Sequence, residues 1–304
     1  MQSLTALLYS SLRATGCIAL ARRVHKGGLV LCYHNVVAAP RVPLLGDPAV
    51  HMPVEQFREQ MEWLAANYDV VALSEFVSRV GSRHPLQRLA AITFDDAYAG
   101  TLANALPVLR QLGLPATVFV VSEASAHGQL FWWDHPTVQR LASRARREQW
   151  LGALRGDRDT ILRDLGIEDR AGLPPEYLPS NWESLATAAR AGVALGVHSG
   201  THRSLLCLTD GELQAELVAS RATIELHTGT ETVLFAYPYG LWDARVRDRV
   251  RAAGYRAACT LDYGLVDSSR DPWALPRVNI PATIGSAAFQ AWSAGLSLRR
   301  LLPR

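Results

Sequence analysis

Cysteine is scarce in this chain, and its four copies are scattered. Cys17, Cys32, Cys207 and Cys259 show no CxxC or CxxH spacing. That argues against a zinc knuckle or a disulfide framework and leaves small, buried apolar residues as the expectation. A strong charge of one sign is also lacking: the formal net charge of +3 is too small a basic excess to indicate nucleic-acid binding. No apolar run reaches the roughly 18 residues that a membrane span needs. The opening "MQSLTALLYSSLRATGCIALARR" comes nearest, but it has no basic start and Arg13 interrupts it, so it does not read as a signal peptide. Histidine is missing from the end of the chain, with none after His227.

The composition that remains is that of an ordinary folded enzyme, and 304 residues suffice for one large α/β domain. Residues 1–27 predict an N-terminal amphipathic helical segment with Leu4, Leu7, Leu8 and Leu12 on one side. Arg13, Arg22 and Arg23 are available to lipid headgroups, so peripheral membrane contact through residues 1–23 is expected, with the protein in the cytoplasm or at the cytoplasmic membrane. From residue 28 onward, apolar strand-like runs alternate with helix-period segments, which argues for parallel β/α units. The strands are expected at 28–36, 69–73, 89–94, 116–122, 193–199, 232–240, 255–261 and 275–280. Between them fall helices at 54–67, 101–113, 181–192, 210–229 and about 244–253. Residues 123–180, with "FWWDH" and several prolines, break the rhythm and read as an insertion; 282–304 read as a C-terminal helical tail.

About seven or eight strands alternating with helices suggest a (β/α) barrel, and in such barrels chemistry gathers at the C-terminal ends of strands. Two acidic residues, Asp95 and Asp96, stand there side by side after the strand 89–94, and adjacent carboxylates resist burial unless a cation compensates. His198 and His202, four residues apart after another strand, supply imidazoles of the kind that bind zinc-like ions while leaving positions open for water and substrate.

"TFDD" at 93–96, "HSGTH" at 198–202 and "FAYPYG" at 235–240 together resemble the polysaccharide deacetylases of the NodB homology type, carbohydrate esterase family four. The resemblance covers roughly residues 28–281. It implies the α/β fold class, a distorted (β/α)7 barrel, and metal-dependent removal of N-acetyl groups from an N-acetylglucosamine-type polysaccharide or glycan precursor. By the same resemblance Asp95 is the general base, and Asp96, His198 and His202 hold one divalent ion, zinc before cobalt, nickel or manganese. Backbone N–H groups near Tyr239 form the oxyanion and acetate pocket, with Pro238 fixing the turn.

Two departures matter. The widespread form of the family opens its third motif with an arginine and carries a late acid histidine; here Ala236 takes the first place and no histidine follows His227. The poly-N-acetylglucosamine deacetylase branch takes its histidine from an early strand instead, which makes His34 in "LCYHNV" the candidate acid. Arg277 in "LPRVNI" is the candidate partner for Asp95. Trp133 is expected either as a stacking platform for a sugar ring or as part of a hydrophobic lid. The arginines 140, 144, 146, 147, 155 and 158 read as a solvated face, with an anionic glycan or lipid headgroup as the other reading. His51, His84, His127 and His227 show no partner pattern and are expected in surface or loop positions. A glycan-binding protein without turnover and a non-sugar amide hydrolase remain the alternative functions.

Overall fold

The computed structural model describes residues 4–38, 45–80, 82, 85–167 and 172–297. Ten short strands form: β1 Leu29–Tyr33, β2 Asn35–Val37, β3 His51–Pro53, β4 Asp69–Val70, β5 Leu89–Phe94, β6 Ala116–Val120, β7 Ala194–Val197, β8 Leu234–Ala236, β9 Ala257–Cys259 and β10 Val278–Asn279. Eight of them make one parallel sheet in the order β10-β1-β5-β6-β7-β8-β9, with β4 pairing to the lower part of β5 beside β6. The sheet curls until its ends meet on a single segment. Leu275 bridges in parallel to Cys259 of β9, while Val278 and Asn279 pair with Leu31 and Cys32 of β1. This is the distorted (β/α) barrel that the family resemblance implies.

The strands bury both faces, as parallel strands under helices must. On β1 and β5, Leu29, Leu31, Tyr33, Ala90, Ile92 and Phe94 pack outward against helical residues such as Phe57, Met61 and Leu64. The alternate residues Val30, Ala91, Phe119, Ala236, Ala257 and Cys259 share the interior with Leu275. Most of these interior side chains are small, which leaves room inside the barrel for the long side chain of Arg277. Its guanidinium carbon lies 5.6 Å from the centre of the Phe119 ring.

The structure corrects several boundaries. The first strand breaks at His34, and its second half joins β3 in a separate two-stranded sheet that the alternation did not predict. The strand expected at 232–240 ends at Ala236 and becomes a tight turn over Pro238–Gly240. The helix expected at 210–229 is interrupted by one π turn, Ala215–Ala219. The insertion folds into short helices around its own core of Trp132, Trp133 and Trp150. Of the N-terminal apolar residues, Leu12 packs against the body while Leu4, Leu7 and Leu8 point away from it. Cys32 and Cys259 are buried as expected, but Cys17 is exposed.

Candidate active site

The site is built where three strands stop. Asp95 still extends the ladder, its N–H donating to the Tyr33 carbonyl at 2.9 Å, and the chain then turns through Asp96 and Ala97, with φ of 70° and 51°. After β7, His198 donates its N–H to Val120 O at 2.8 Å, followed by Ser199 (φ 68°) and His202 (φ 60°). After β8, Tyr239 has φ 58°. Only two other described non-glycine residues, Arg88 and Arg155, adopt this left-handed backbone. Such conformations cost about 1–3 kcal/mol each and persist where the surroundings over-determine them, typically at functional sites.

These turns bring three donor atoms together. Asp96 Oδ1 lies 3.6 Å from His198 Nε2 and 3.3 Å from His202 Nε2, and the two imidazole nitrogens are 3.1 Å apart. A tetrahedral ion with bonds near 2.1 Å needs ligand separations of about 3.4 Å, so the triangle has the size of one cation's coordination face. Nδ1 of His198 lies 2.8 Å from the Ala236 carbonyl. A carbonyl only accepts, so Nδ1 carries the proton and Nε2 turns a lone pair inward. Asp96 Oδ1 is buried with no hydrogen-bond partner among the described residues. Burial lowers the basicity of both imidazoles, leaving them neutral and fit to ligate. The set therefore fits a divalent cation.

The two aspartates are driven apart electrostatically. Burial raises Asp96 well above the ordinary carboxylate range, and the neighbouring Asp95 adds to the effect. Burial would raise Asp95 too, but Arg277 outweighs it and holds the carboxyl well below its usual range. The guanidinium makes a two-pronged contact, donating to Asp95 Oδ1 and Oδ2 at 2.7 Å each. It also donates to the Thr260 carbonyl and the Thr93 hydroxyl. Arg277 is fully buried, on the segment that closes the barrel. One acidic group is thus paired, and the other is left requiring a cation.

His34 sits at the break between β1 and β2, with a ring nitrogen within 4.8 Å of an Asp95 oxygen and of Cys32 Sγ. Burial, only partly offset by Asp95, brings its pKa down to about 4. His34, Asp95, Asp96, His198, His202 and Tyr239 all line one cleft of about 360 Å³. Arg147 and Asp47, 3.6 Å apart, also line it, so one arginine of the insertion belongs to the cleft rather than to a purely solvated face.

Tyr239 packs edge-on against His202 at 4.4 Å between ring centres, with its hydroxyl accepting from Trp132 Nε1. Pro238, buried, opens the turn that presents it. Trp133 lies 4.8 Å from the His202 ring and stacks on Phe131 at 4.7 Å, with only 6% of its surface exposed. Little of the indole is left for a sugar ring, and the packing is that of a wall supporting His202.

Sequence reasoning missed the polar chain behind that wall. Trp133 Nε1 donates to the Tyr98 hydroxyl, which donates to Asp134 Oδ2 at 2.6 Å. Asp134 Oδ1 lies 2.8 Å from Nε2 of His51, whose Nδ1 faces the Asn35 amide donor at 2.9 Å. His51 is therefore a buried structural residue, not a loop histidine. Of the others, His127 is exposed beside Glu123, His227 stacks on Trp182, and His84 lies outside the described residues.

Glu216 was missed as well. The π turn that interrupts the helix aims this buried carboxylate at the loop carrying both histidines. Oε2 accepts the N–H groups of Gly200 at 2.8 Å and Thr201 at 2.9 Å, and Oε1 accepts the Thr201 hydroxyl at 2.6 Å. A Cβ at position 200 would lie 3.2 Å from Oε2, so glycine there permits the close approach. Losing such outer support typically costs about 10–100-fold in metal affinity. Glu216→Ala is expected to weaken zinc binding by that amount in a chelator-competition titration, and Glu216→Gln by less, because it keeps one acceptor.

Comparison with known proteins agrees with this geometry. The sequence model of the polysaccharide deacetylase family matches residues 82–258, a span that contains Asp95, Asp96, His198, His202 and Tyr239 but neither His34 nor Arg277. YxkH of Bacillus subtilis (strain 168), named as a polysaccharide deacetylase, is 20% identical over 265 residues, covering 86% of this chain and 75% of that protein. Two solved structures share the fold. IcaB from Ammonifex degensii has a TM-score of 0.63 at 19% identity, covering 89% of this chain and 98% of its own. The Streptococcus pyogenes deacetylase PplD, in complex with acetate, has a TM-score of 0.61 at 15% identity, covering 84% and 93%. The family match spans more than half of the sequence, and the chain belongs to the polysaccharide deacetylase family.

Proposed function

We propose that the protein is a divalent-cation-dependent N-deacetylase that hydrolyses the acetamide of an N-acetylglucosamine-type polysaccharide or glycan precursor and releases acetate. The reading rests on one observation above all: a buried, unpartnered Asp96 oxygen converging with two neutral imidazoles beside a second carboxylate that is already paired. A cation at Asp96, His198 and His202, zinc by preference and cobalt, nickel or manganese as substitutes, would polarise the amide carbonyl and acidify water. The fold relative PplD, named as a deacetylase and seen with acetate, supports the same chemistry.

The remaining roles belong to the chain's own side chains. Water adds its oxygen to the acetyl carbon, the C–N bond breaks, and the amine leaves with a proton. Asp95 stays ionised beside Arg277 and is the base on the water side. His34 is neutral at rest, so the proton it passes to the leaving amine is one gained within the same turnover. Tyr239, at the turn fixed by Pro238, closes the acetyl side of the cleft.

The test is acetate release from a chitin oligomer by protein purified without chelators. Activity is expected, with loss on chelation and return on adding zinc. Retained oligomer binding without acetate would instead favour a glycan-binding protein that has lost turnover.

A further inference from the structure

We infer that the helices Leu4–Ala14 and Cys17–Val24, seated on the helix Ser286–Ser293, form a docking surface for the anionic face of a lipid bilayer. The observations are of charge, exposure and packing, and none depends on the catalytic reading. Asp47 is the first acidic residue of the chain and Asp271 the last. The stretches outside them carry nine of the 31 Lys and Arg residues and none of the 28 Asp and Glu. Apart from buried Arg277 these cations are Arg13, Arg22, Arg23, Lys26 and Arg41 on one side and Arg299, Arg300 and Arg304 on the other. Residues 47–271 are left with 22 basic groups against 28 acidic ones. A protein of nearly balanced charge is thus split into an acidic body and basic ends.

The fold seats the first described helices on the last one. Helix Leu4–Ala14 packs on helix Ser286–Ser293, where Trp292 Nε1 donates to the buried Tyr9 hydroxyl at 2.8 Å. A second helix, Cys17–Val24, follows a bend of 70° at Gly16, whose φ of 75° makes the turn. Tyr9, Leu12 and Ile18 fasten the pair to the body. The opposite faces carry Leu4, Leu7, Leu8, Leu20 and Val24, between 47% and 75% exposed. Their spacings, 4, 7, 8 and 20, 24, put each set on one side of its helix. Arg13, Arg23 and Lys26 are exposed on the same two-helix segment.

Outward leucines set among cations, with no carboxylate in the segment, match an interface of anionic headgroups over acyl chains. No single described helix is long and apolar enough to cross a membrane. The bent pair, with one face held against protein, is shaped to lie on a bilayer.

The full chain is to be sedimented with phosphatidylcholine vesicles, with and without phosphatidylglycerol. Binding is expected with the anionic vesicles only, weakening as salt is raised. A Leu4→Ser, Leu8→Ser, Leu20→Ser variant should lose at least tenfold in partitioning, and so should an Arg13→Gln, Arg23→Gln variant. A circular dichroism melt of each shows whether it remains folded, and acetate release from a soluble oligomer should be unchanged. Three results would overturn the inference: no vesicle binding by the intact chain, equal binding by folded variants, or a concentration-dependent dimer abolished by the leucine changes and indifferent to lipid. Retention in vesicles through alkaline carbonate would also overturn it, because the pair would then be embedded rather than surface-bound.

Discussion

Replacing Arg277 by methionine is expected to lower kcat/KM for acetate release by about 10²-fold or more and to cost about 3–5 kcal/mol of stability. The two losses have one cause. Asp95 is buried inside the barrel, and its two short contacts to the guanidinium are what keep it ionised there. Without them an uncompensated carboxylate remains in an apolar interior. Because the pair holds Asp95 below its usual range, its contribution to stability is fully present above about pH 4 and is lost as the pH falls further. The stability gap between wild type and variant should therefore be widest at neutral pH and narrow in strong acid, as followed by urea denaturation. Adding Asp95→Leu to Arg277→Met removes both charges and should recover much of the stability without any activity. A single variant with wild-type turnover across the pH range would show that the pair serves packing alone.

Zinc added to metal-stripped protein should raise its melting temperature, and Asp96→Asn should abolish both that response and the activity. At a free zinc concentration about a thousand times the Kd, the stabilisation is about 4 kcal/mol. Of the three proposed ligands Asp96 is the one whose loss should weigh most, since it is the only carboxylate among them and its Oδ1 has no hydrogen-bond partner among the described residues. The metal-free Asp96→Asn protein should be no less stable than metal-free wild type, because the change removes a buried like charge beside Asp95. Equal stabilisation of variant and wild type by zinc would place the ion elsewhere.

Which parts were legible in the sequence follows from chain separation. Asp95, Asp96, His198, His202 and Tyr239 lie within short motifs at strand ends, so spacing and resemblance reach them directly. Arg277 is 182 residues from Asp95, and only the empty position at Ala236 suggested looking for it. Nothing comparable pointed to the pairing of His51 and Asp134, 83 residues apart on a three-residue strand and a single helical turn, since elements that short leave no periodic trace. Glu216 was hidden for another reason. On regular helical spacing it is one more polar residue, and the π turn that redirects it has no sequence signal of its own. Strand ends were misjudged where backbone turns left-handed at non-glycine residues, as at Ser199 and Tyr239, because local propensity argues against those conformations.

The segment from Leu275 to Asn279 finishes the barrel and also delivers the arginine that steadies Asp95. On a ribosome Asp95 and Asp96 appear first, His198 and His202 follow, and Arg277 comes only after all of them. A chain that stops before this segment therefore carries Asp96, His198 and His202 yet lacks the guanidinium that keeps Asp95 ionised. Competence for catalysis would wait on the Leu275–Asn279 segment, so products that stop before it should be inert even where they trap zinc.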